Sequence, residues 1–362
     1  MGLVLAAACY LPGFPMVKRY LVTGCAGFIA SRVVEMLVDA GNVVIGVDNL
    51  NDAYDPRLKH WRLDRLLGDT GFHFVNLDIA DLDALERLFT HDGDRSHADP
   101  YSSRFPSDIE DWPYSAVINL AARAGVRASV ENPWVYYRTN CDGTLNLLEM
   151  CRRFGVKKFL LASTSSLYGA HNPVPFREDA DTNRPLSPYA ASKKAAETLA
   201  FTYHYLYGLD VSIPRYFTVY GPAGRPDMSI FRFVRRIAEG EPITVFGDGA
   251  QERDFTYVDD IARGTIAALG PCGYEIFNLG GDRPVRLSAI IDQIAALVER
   301  IAKIDYRPPH PADVFATWAD IGKARQLLGW SPEVPVEEGL RRCVEWYREN
   351  REAILPLELG RD

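Results

Sequence analysis

The chain has 362 residues, of which 47% are hydrophobic and 24% are charged, and its formal net charge is −8. This is the composition of an ordinary globular protein with enough apolar material for one large domain or two coupled ones. The acidic balance and the lack of a long basic run argue against nucleic acid as a partner. No stretch is long and apolar enough to predict a membrane-spanning helix.

Six scattered cysteines without Cys-x-x-Cys spacing, and seven histidines without a ligand motif, predict neither a disulfide framework nor a metal site. Reduced thiols are typical of the cytoplasm, where we expect this protein. Residues 2–11 are apolar, but they are too short to span a membrane and lack the basic start of a signal peptide. We therefore expect residues 1–15 to be an extension that precedes the first strand.

A strand–turn–helix–strand unit begins the folded part of the chain. Residues 20–23 form a short apolar strand, residues 33–38 show helical periodicity, and a second strand at residues 43–47 ends at Asp48. Gly24 allows a tight turn, and Gly27 lets the backbone approach a pyrophosphate at the helix N-terminus. Asp48 would accept a hydrogen bond from a ribose 2′-hydroxyl and repel a 2′-phosphate, which predicts NAD as the cofactor and not NADP.

The ends of later strands extend this predicted cofactor site. After the strand at residues 72–75, Asp78 would either reach the adenine amino group or simply begin a turn, and Ile79 would pack on the adenine face. The other predicted cofactor contacts are Phe28, Ile29, Asn49, Leu120, Ala121, Ala122, Asn140 and Tyr216. Residues 91–112 are polar and indicate an exposed insertion without chemistry.

A cluster of hydroxyl groups, Thr164, Ser165 and Ser166, follows the predicted strand at residues 158–162. Ligands of open α/β sheets bind outside the carboxyl ends of the strands, so we expect the substrate there. Tyr189 and Lys193 share one face of the next helix, one turn apart. Because a nearby ammonium favours the phenolate, we expect Lys193 to lower the pKa of Tyr189 and make it a general acid and base.

The alternation of strands and helices predicts a doubly wound parallel sheet, the Rossmann fold, in an α/β cofactor domain over residues 16–215. This alternation weakens after residue 215, so we expect a smaller α/β substrate domain over residues 216–362. Residues 256–280 are expected to return to the cofactor domain.

In this order, the motifs resemble those of the extended short-chain dehydrogenase/reductase family, and the likeness covers nearly the whole chain from Met16. The segments that carry it are Thr23-Gly-Cys-Ala-Gly-Phe-Ile-Ala, Asn119-Leu-Ala-Ala, Ser163-Thr-Ser-Ser-Leu-Tyr-Gly, Tyr189-Ala-Ala-Ser-Lys and Arg253-Asp-Phe-Thr-Tyr-Val-Asp-Asp. Three further segments, starting at Asp48, Arg215 and His310, are similar to those of members that act on UDP-glucuronate. The likeness implies NAD-dependent inversion of C4, which converts UDP-glucuronate to UDP-galacturonate through a 4-keto intermediate.

By position, the resemblance implies a catalytic triad of Thr164, Tyr189 and Lys193. Tyr189 would exchange the proton of the 4-hydroxyl, Thr164 would hydrogen-bond the C4 oxygen, and Lys193 would hold the nicotinamide ribose. The implied contacts of the UDP-sugar are Arg127, Ser165, Ser166, Thr218, Arg225, Val245, Phe246, Arg253 and Asp313. Within this set Ser165, Ser166, Thr218 and Arg225 would face the sugar carboxylate, Val245 and Phe246 the uracil, Arg253 the diphosphate and Asp313 the UDP ribose. Arg235 or Arg236 would add a phosphate contact.

Other activities remain open: epimerisation of another UDP-sugar, decarboxylation of UDP-glucuronate, or a catalytically inactive NAD-binding scaffold. The 4-keto-uronate is a β-keto acid that loses CO₂ readily, so an epimerase must hold its carboxylate without an anion beside it. Ser165 and Ser166 stand where dehydratases usually have an acidic pair and decarboxylases a Glu at the second position, which favours epimerisation. Relatives also pair through two helices, which implies a homodimer through residues 135–153 and 189–206 of this chain.

Overall fold

The computed structural model describes residues 17–90, 114–309 and 314–360. The expected extension at residues 1–15, the expected insertion at residues 91–112 and the predicted ribose contact Asp313 lie outside these ranges. Within them, no helix is long and apolar enough to cross a membrane.

The strands of the described residues follow in chain order: β1 (Arg19–Thr23), β2 (Val43–Asp48), β3 (Phe72–Asn76), β4 (Ala116–Asn119), β5 (Lys158–Leu161), β6 (Ser163–Thr164), β7 (Asp210–Tyr216), β8 (Thr218–Tyr220), β9 (Ile243–Phe246), β10 (Glu252–Tyr257), β11 (Tyr274–Leu279), β12 (Pro284–Arg286) and β13 (Ile304–Arg307). The α-helices are α1 (Phe28–Asp39), α2 (Pro56–Leu66), α3 (Leu82–Thr90), α4 (Val126–Glu131), α5 (Pro133–Tyr137), α6 (Gly143–Phe154), α7 (Pro188–Tyr207), α8 (Ser229–Glu239), α9 (Val258–Ala267), α10 (Leu287–Val298), α11 (Gly322–Leu328) and α12 (Val336–Ile354).

The large sheet has the order β11-β7-β5-β4-β1-β2-β3, with β6 paired to β7, and all its pairings are parallel. Every residue of β1, β4 and β5 is buried, because helices cover both faces of such a sheet. The strand order reverses at β1 and β4, so a crevice opens between their carboxyl ends. The predicted doubly wound parallel sheet is confirmed.

A second hydrophobic core lies under α8, α10 and α12, where these helices pack on the small sheets β12-β10-β8 and β13-β9. We call this part the C-terminal lobe. The segment between β10 and β12 does not belong to it entirely, since α9 packs on α1 and β11 pairs with β7 in the large sheet.

One predicted helix is interrupted in the structure. The sequence predicts a continuous helix over residues 135–153, whereas the chain forms α5, a π-helical turn at Arg138–Asp142 and then α6. The wider turn accommodates Asn140, which is buried and hydrogen-bonded to two other segments. Such π-turns frequently mark functional sites.

Candidate active site

A cavity with an empty volume of about 1050 Å³ lies at the carboxyl ends of the strands, where the crevice was expected. It is lined by every predicted cofactor contact except Asn140, namely Gly24, Gly27, Phe28, Ile29, Asp48, Asn49, Asp78, Ile79, Leu120, Ala121, Ala122, Tyr189, Lys193 and Tyr216. The fold therefore brings together predicted contacts from six separate segments of the chain.

Two glycines shape the turn between β1 and α1. Gly24 has a φ of +71°, and a Cβ at this position would lie 2.8 Å from backbone atoms of Ala121. A Cβ on Gly27 would lie 2.8 Å from the carbonyl oxygen of Gly24. Any side chain here would therefore crowd the turn in front of the α1 N-terminus, where partial positive charge favours a phosphate. The cradle fits the pyrophosphate of a dinucleotide.

Asp48 forms the polar end of this cavity together with a lysine. Its buried carboxylate accepts hydrogen bonds from the backbone N–H groups of Ala26 at 3.2 Å and Leu50 at 2.8 Å. The Nζ of Lys59 on α2 lies 3.3 Å from Asp48 and 3.3 Å from the side-chain oxygen of Asn51. Lys59 also lines the cavity, so a ribose placed here would meet both an acceptor and a donor. Sequence reasoning missed Lys59, because no motif marks a lysine on the helix after this loop.

The three residues of the expected triad meet in the structure. Ser187 caps the start of α7 by accepting a hydrogen bond from the backbone of Ala190 at 3.2 Å, so Tyr189 and Lys193 lie in its first two turns. Both side chains line the cavity, and the hydroxyl of Thr164, at the end of β6, is near enough to favour the anion of Tyr189. The phenol therefore faces the hydroxyl cluster, as a general acid and base of the substrate must.

The expected effect of Lys193 on Tyr189 is wrong for this structure. Burial raises the pKa of the Tyr189 phenol, and the groups that oppose this are the Thr164 hydroxyl and the guanidinium of Arg225. Burial also lowers the pKa of Lys193 to about 8, against the opposing effect of Glu197. Spacing on a helix predicted the proximity of the pair, but desolvation dominates the protonation of both groups.

Asn140, a predicted cofactor contact, does not line the cavity and instead makes structural hydrogen bonds. Its side-chain oxygen accepts a hydrogen bond from the backbone N–H of Arg123 at 2.9 Å. Its amide donates to the carbonyl oxygen of Arg123 at 3.0 Å and to the hydroxyl of Ser192 at 2.9 Å. Asn140 thus fastens the loop after β4 to α7 and fixes two walls of the cavity relative to each other.

Among the described residues predicted to bind substrate, Arg225 is the one that lines the main cavity. Its Nε and Nη2 donate to the two carboxylate oxygens of Asp227 at 3.0 and 2.6 Å. Nη2 also donates to the carbonyl oxygen of Ala124 at 3.1 Å, and the guanidinium lies 5.5 Å from the ring centre of Tyr54. Tyr54 lines the same cavity, and sequence reasoning missed it, although it lies in a segment that carries the family likeness.

The predicted hydroxyl contacts lie around this arginine and the triad. Thr218, at the start of β8, shares a small second cavity with Arg225 and Phe28. Ser165 and Ser166 form the first turn of a 3-10 helix at Ser165–Tyr168. The hydroxyl of Thr164 donates to that of Ser166 at 3.2 Å and accepts from its backbone N–H at 3.1 Å, so Thr164 also caps this turn.

The predicted nucleotide contacts are only partly brought together. The guanidinium of Arg127 on α4 lies over the ring of Phe246 at 3.8 Å, which joins the large sheet to the C-terminal lobe. Val245 is buried in the lobe core, so its side chain is not available to a ligand. Nη1 of Arg253 donates to the carbonyl oxygens of Glu252 and Phe315, each at 2.9 Å.

A group of arginines near this junction contains a residue that the sequence did not single out. Burial, together with the positive charges of Arg236 and Arg127, lowers the pKa of Arg232 to about 10 against the opposing effect of Asp227. Arg232, Arg236 and Arg127 thus concentrate positive charge on one side of the junction. Nη1 of Arg235, by contrast, donates to the carbonyl oxygen of Leu357.

Comparison with known proteins agrees with this geometry. A family model described as the NAD dependent epimerase/dehydratase family matches residues 107–280, and one described as GDP-mannose 4,6 dehydratase matches residues 21–93. A UDP-glucuronate 4-epimerase of Thermodesulfobacterium geofontis is 56% identical over 341 residues, which cover 94% of this chain and 99% of that protein.

Solved structures give the same result. The UDP-glucuronic acid 4-epimerase of Bacillus cereus, in complex with UDP-glucuronic acid and NAD, is 34% identical with a TM-score of 0.80 over 92% of this chain and 99% of its own. The UDP-glucose 4-epimerase of Thermotoga maritima, with UDP-glucose, is 33% identical with a TM-score of 0.80 over 92% of this chain and 100% of its own. The resemblance to extended short-chain dehydrogenases/reductases is thereby confirmed, and the chain belongs to the NAD dependent epimerase/dehydratase family.

Proposed function

We propose that this protein converts UDP-glucuronate to UDP-galacturonate by NAD-dependent epimerisation at C4. The observation that carries the proposal is the convergence of Tyr189, Lys193 and the Thr164 hydroxyl at a cavity whose glycine cradle fits a dinucleotide. The relative with 56% identity carries the name of this activity. The geometry supports the same chemistry independently of that name.

In the proposed mechanism, Tyr189 takes the proton of the sugar 4-hydroxyl and later returns it. Bound NAD supplies the hydride acceptor and donor for C4 and is regenerated in each cycle. Thr164 hydrogen-bonds the C4 oxygen and favours the phenolate of Tyr189, as does the charge of Arg225. Lys193, which lines the cavity next to Tyr189, would hold the nicotinamide ribose through its ammonium group.

The sugar carboxylate is assigned to Arg225, with Thr218, Ser165 and Ser166 as neutral donors around it. Arg225 lines both the main cavity and the small cavity that contains Thr218, so a uronate near Tyr189 lies within reach of both. Because the 4-keto-uronate is a β-keto acid, an interaction that stabilises its carboxylate also retards loss of CO₂. Asp227, which pairs with Arg225, is an anion close to this site, so the expectation of a site without one is not met. The support for epimerisation over decarboxylation therefore comes from the neutral hydroxyl donors and the guanidinium itself.

The nucleotide is assigned to the junction with the C-terminal lobe. The positive charge of Arg127, Arg232 and Arg236 suits a diphosphate, and Arg253 adds a contact from β10. The uracil is assigned to the face of the Phe246 ring opposite the one that Arg127 covers. Asp313 stays a predicted ribose contact. On this assignment residues 16–215 form the cofactor domain, and residues 216–362 form the substrate domain, with about 256–280 returning to the former.

Proton NMR of UDP-glucuronate incubated with the enzyme tests the activity directly. We expect H4 of the sugar to change to its UDP-galacturonate signal, without net formation of NADH. Appearance of UDP-xylose with release of CO₂ would show a decarboxylase and contradict the proposal.

The assignment of Arg225 to the sugar carboxylate can be tested separately. The similar solved structure from Thermotoga maritima contains UDP-glucose, a sugar nucleotide whose sugar is neutral. Replacement of Arg225 by Leu removes the guanidinium, so KM for UDP-glucuronate should rise at least tenfold. Any turnover of UDP-glucose serves as the internal control, and its KM should change much less. An unchanged KM for UDP-glucuronate would remove Arg225 from the carboxylate site.

We also propose that two copies of the chain associate through α6 and α7. The outer part of α7 exposes Phe201, Tyr205, Leu206 and Tyr207, with exposed fractions of 48, 78, 58 and 53%. Leu145 on α6 is also exposed, at 37%. An apolar surface of this size on adjacent helices is typical of a protein–protein interface.

The distribution of thiols supports a cytoplasmic location, which we include in the proposal. The five cysteines within the described residues are all free, and three of them are buried. A protein of an oxidising compartment would more commonly pair such residues in disulfides.

A further inference from the structure

Arg225, which the proposed function assigns to the sugar carboxylate, already has a carboxylate partner within the chain. We propose that Asp227 is a positioning residue that aims Arg225 at the substrate and weakens its hold, so that the 4-keto sugar can rotate between the two hydride transfers. This inference rests on the proposed function and adds a residue to it.

The geometry leaves one arm of the guanidinium for a ligand. Asp227 occupies Nε and Nη2, and the carbonyl oxygen of Ala124 takes a second hydrogen of Nη2. Among the residues that the structure describes, no hydrogen bond involves Nη1 of Arg225. Tyr54 faces the guanidinium at 5.5 Å and restricts its plane. A substrate carboxylate therefore meets Arg225 end-on at Nη1, since the two-pronged edge is taken.

Asp227 also changes the charge that the substrate meets. Arg225 and Asp227 are both largely shielded from water, with side-chain exposures of 18 and 26%, so their charges are only partly screened by solvent. A uronate beside this pair meets a neutralised dipole and not an isolated cation. Its attraction to the site is therefore weaker than an unpaired arginine would provide.

The reaction requires that Arg225 bind the sugar carboxylate only weakly. The hydride leaves one face of C4 and returns to the other, so the keto sugar must turn relative to Tyr189 and the nicotinamide. The carboxylate sits on C5, next to the reacting carbon, and must break and remake its contact with Arg225 during this turn. Tight ground-state binding of the carboxylate would lower KM and slow the turn, because contacts that must break during the turn add to its barrier.

The carboxylate of Asp227 also acts on a second arginine of the proposed substrate site. Its negative charge opposes the lowering of the pKa of Arg232, a partly buried member of the arginine group assigned to the diphosphate. Asp227 thus acts on arginines assigned to both the sugar and the diphosphate, in addition to its direct contact with Arg225.

Replacement of Asp227 by Asn tests this role, because Asn keeps the shape and removes the charge. We expect the dissociation constant of UDP-glucuronate to fall at least threefold and kcat to fall at least threefold. The affinity for UDP-glucose, which has no carboxylate, should fall or stay unchanged. D227E keeps the anion and should restore kcat to within about threefold of the wild type, and both variants are first checked for an unchanged unfolding midpoint.

The chain offers a matched control on its surface. Arg177 and Asp179 form the same Arg-x-Asp pair, with Nε 3.1 Å from the carboxylate, but at 67 and 72% exposure and outside the lining of the cavity. D179N should leave affinity and turnover unchanged. A merely structural role for Asp227 would weaken the binding of both sugars together, and weaker binding of UDP-glucuronate or an unchanged kcat in D227N would overturn the proposal.

The outcome separates this inference from the proposed function. If the wild type binds UDP-glucuronate without inverting C4, the proposed function fails, and the sugar-selective change in affinity in D227N still decides whether Asp227 moderates Arg225. If the wild type epimerises UDP-glucuronate and D227N behaves like D179N, the proposed function stands and the inference fails.

Discussion

At the scale of single residues, burial governs the chemistry of the site more than sequence spacing does. Tyr189 and Lys193 share a helix face, but desolvation raises the pKa of the first and lowers that of the second. The phenol is therefore protonated at neutral pH in this structure, and groups that favour its anion come from elsewhere in the fold. Thr164 and Arg225 are two such groups, so the proton acceptor depends on three separate segments.

Removal of the phenol hydroxyl of Tyr189 tests its proposed role as the general acid and base. Tyr189→Phe should lower kcat by about 10²- to 10⁴-fold, the usual contribution of a positioned acid and base. The measurement is UDP-galacturonate formation under saturating UDP-glucuronate and NAD. Tyr205→Phe, which removes a hydroxyl from an exposed tyrosine on the same helix, is the control and should keep full activity. Retention of a tenth or more of the activity in Tyr189→Phe would exclude Tyr189 as the general base.

The lowered pKa of Lys193 makes NAD binding depend on pH. Since this pKa is about 8 and the ammonium is the proposed donor, affinity for NAD should be constant below pH 7. Above pH 8 it should fall by up to about tenfold per pH unit. Cys141, which also affects this lysine, has its own pKa raised by burial to about 11 and stays protonated in this range. Titration of NAD affinity from pH 6.5 to 9.5 measures the effect.

The charge of a guanidinium does not change in this pH range, so Lys193→Arg is the control and should show a flat profile even if its affinity is lower. The stability of the fold without NAD should depend on pH in the opposite direction. The lysine pKa is lower in the folded than in the unfolded state, so its contribution to the free energy of unfolding increases with pH from about 8 to about 10.4. The same pH slope of NAD affinity in both proteins would contradict the role given to Lys193.

At the scale of elements, α7 combines the catalytic pair with an exposed apolar surface. Its first two turns carry Tyr189 and Lys193 into the cavity, and its last turns expose Phe201 and Tyr205. A polar or charged residue would be normal at such exposed helix positions. If α7 is an interface helix, association with a second copy also holds the catalytic end of the same helix in place.

A charge on this surface tests the proposed association. The double change Phe201→Glu and Tyr205→Glu should convert a dimer to a monomer at micromolar concentration, because burying two carboxylates without partners is costly. Sedimentation velocity measures the result. Ile301→Glu is the control, since Ile301 is 91% exposed but lies outside α6 and α7. A monomeric wild type, or a variant that stays dimeric, would refute this interface.

At the scale of the whole molecule, a buried polar network joins the triad to the rest of the sheet. Glu197 lies one turn beyond Lys193, and its Oε1 accepts hydrogen bonds from Ser163 at 2.6 Å and from Nε of Arg215 at 2.9 Å. Arg215 also donates from Nη2 to Oε2 at 2.8 Å and from Nη1 to the phenol of Tyr168 at 3.0 Å. The network therefore clamps β6, which carries Thr164, and β7 onto α7.

Breaking this buried ion pair should be costly for stability. Glu197→Ala leaves the guanidinium of Arg215 buried without its partner, so the free energy of unfolding should fall by about 3–5 kcal/mol. Urea unfolding monitored by circular dichroism measures the change. Glu338→Ala removes the partner of Arg341 from an exposed pair on α12 and should change stability little. Equal losses in the two variants would show that burial of the Glu197 pair is unimportant.

The sequence by itself determined the features that depend on local chemistry. The glycines of the first turn, the acid at the end of β2 and the Tyr189–Lys193 pair each follow from spacing within one strand, turn or helix. The succession of strands and helices also predicted the doubly wound sheet, and so the edge of the sheet where ligands bind. These features are fixed by backbone geometry and short-range side-chain periodicity, which a single sequence displays directly.

Only the tertiary structure decided how the separate segments act on one another. It placed Lys59 against Asp48, put Arg127 over Phe246, and turned Asn140 away from the cavity towards Arg123 and Ser192. It also reversed the expected pKa shift of Tyr189, because desolvation depends on what packs around a group and not on its neighbours in the chain. Burial and long-range contact are properties of the folded molecule, so no local pattern in the sequence could have revealed them.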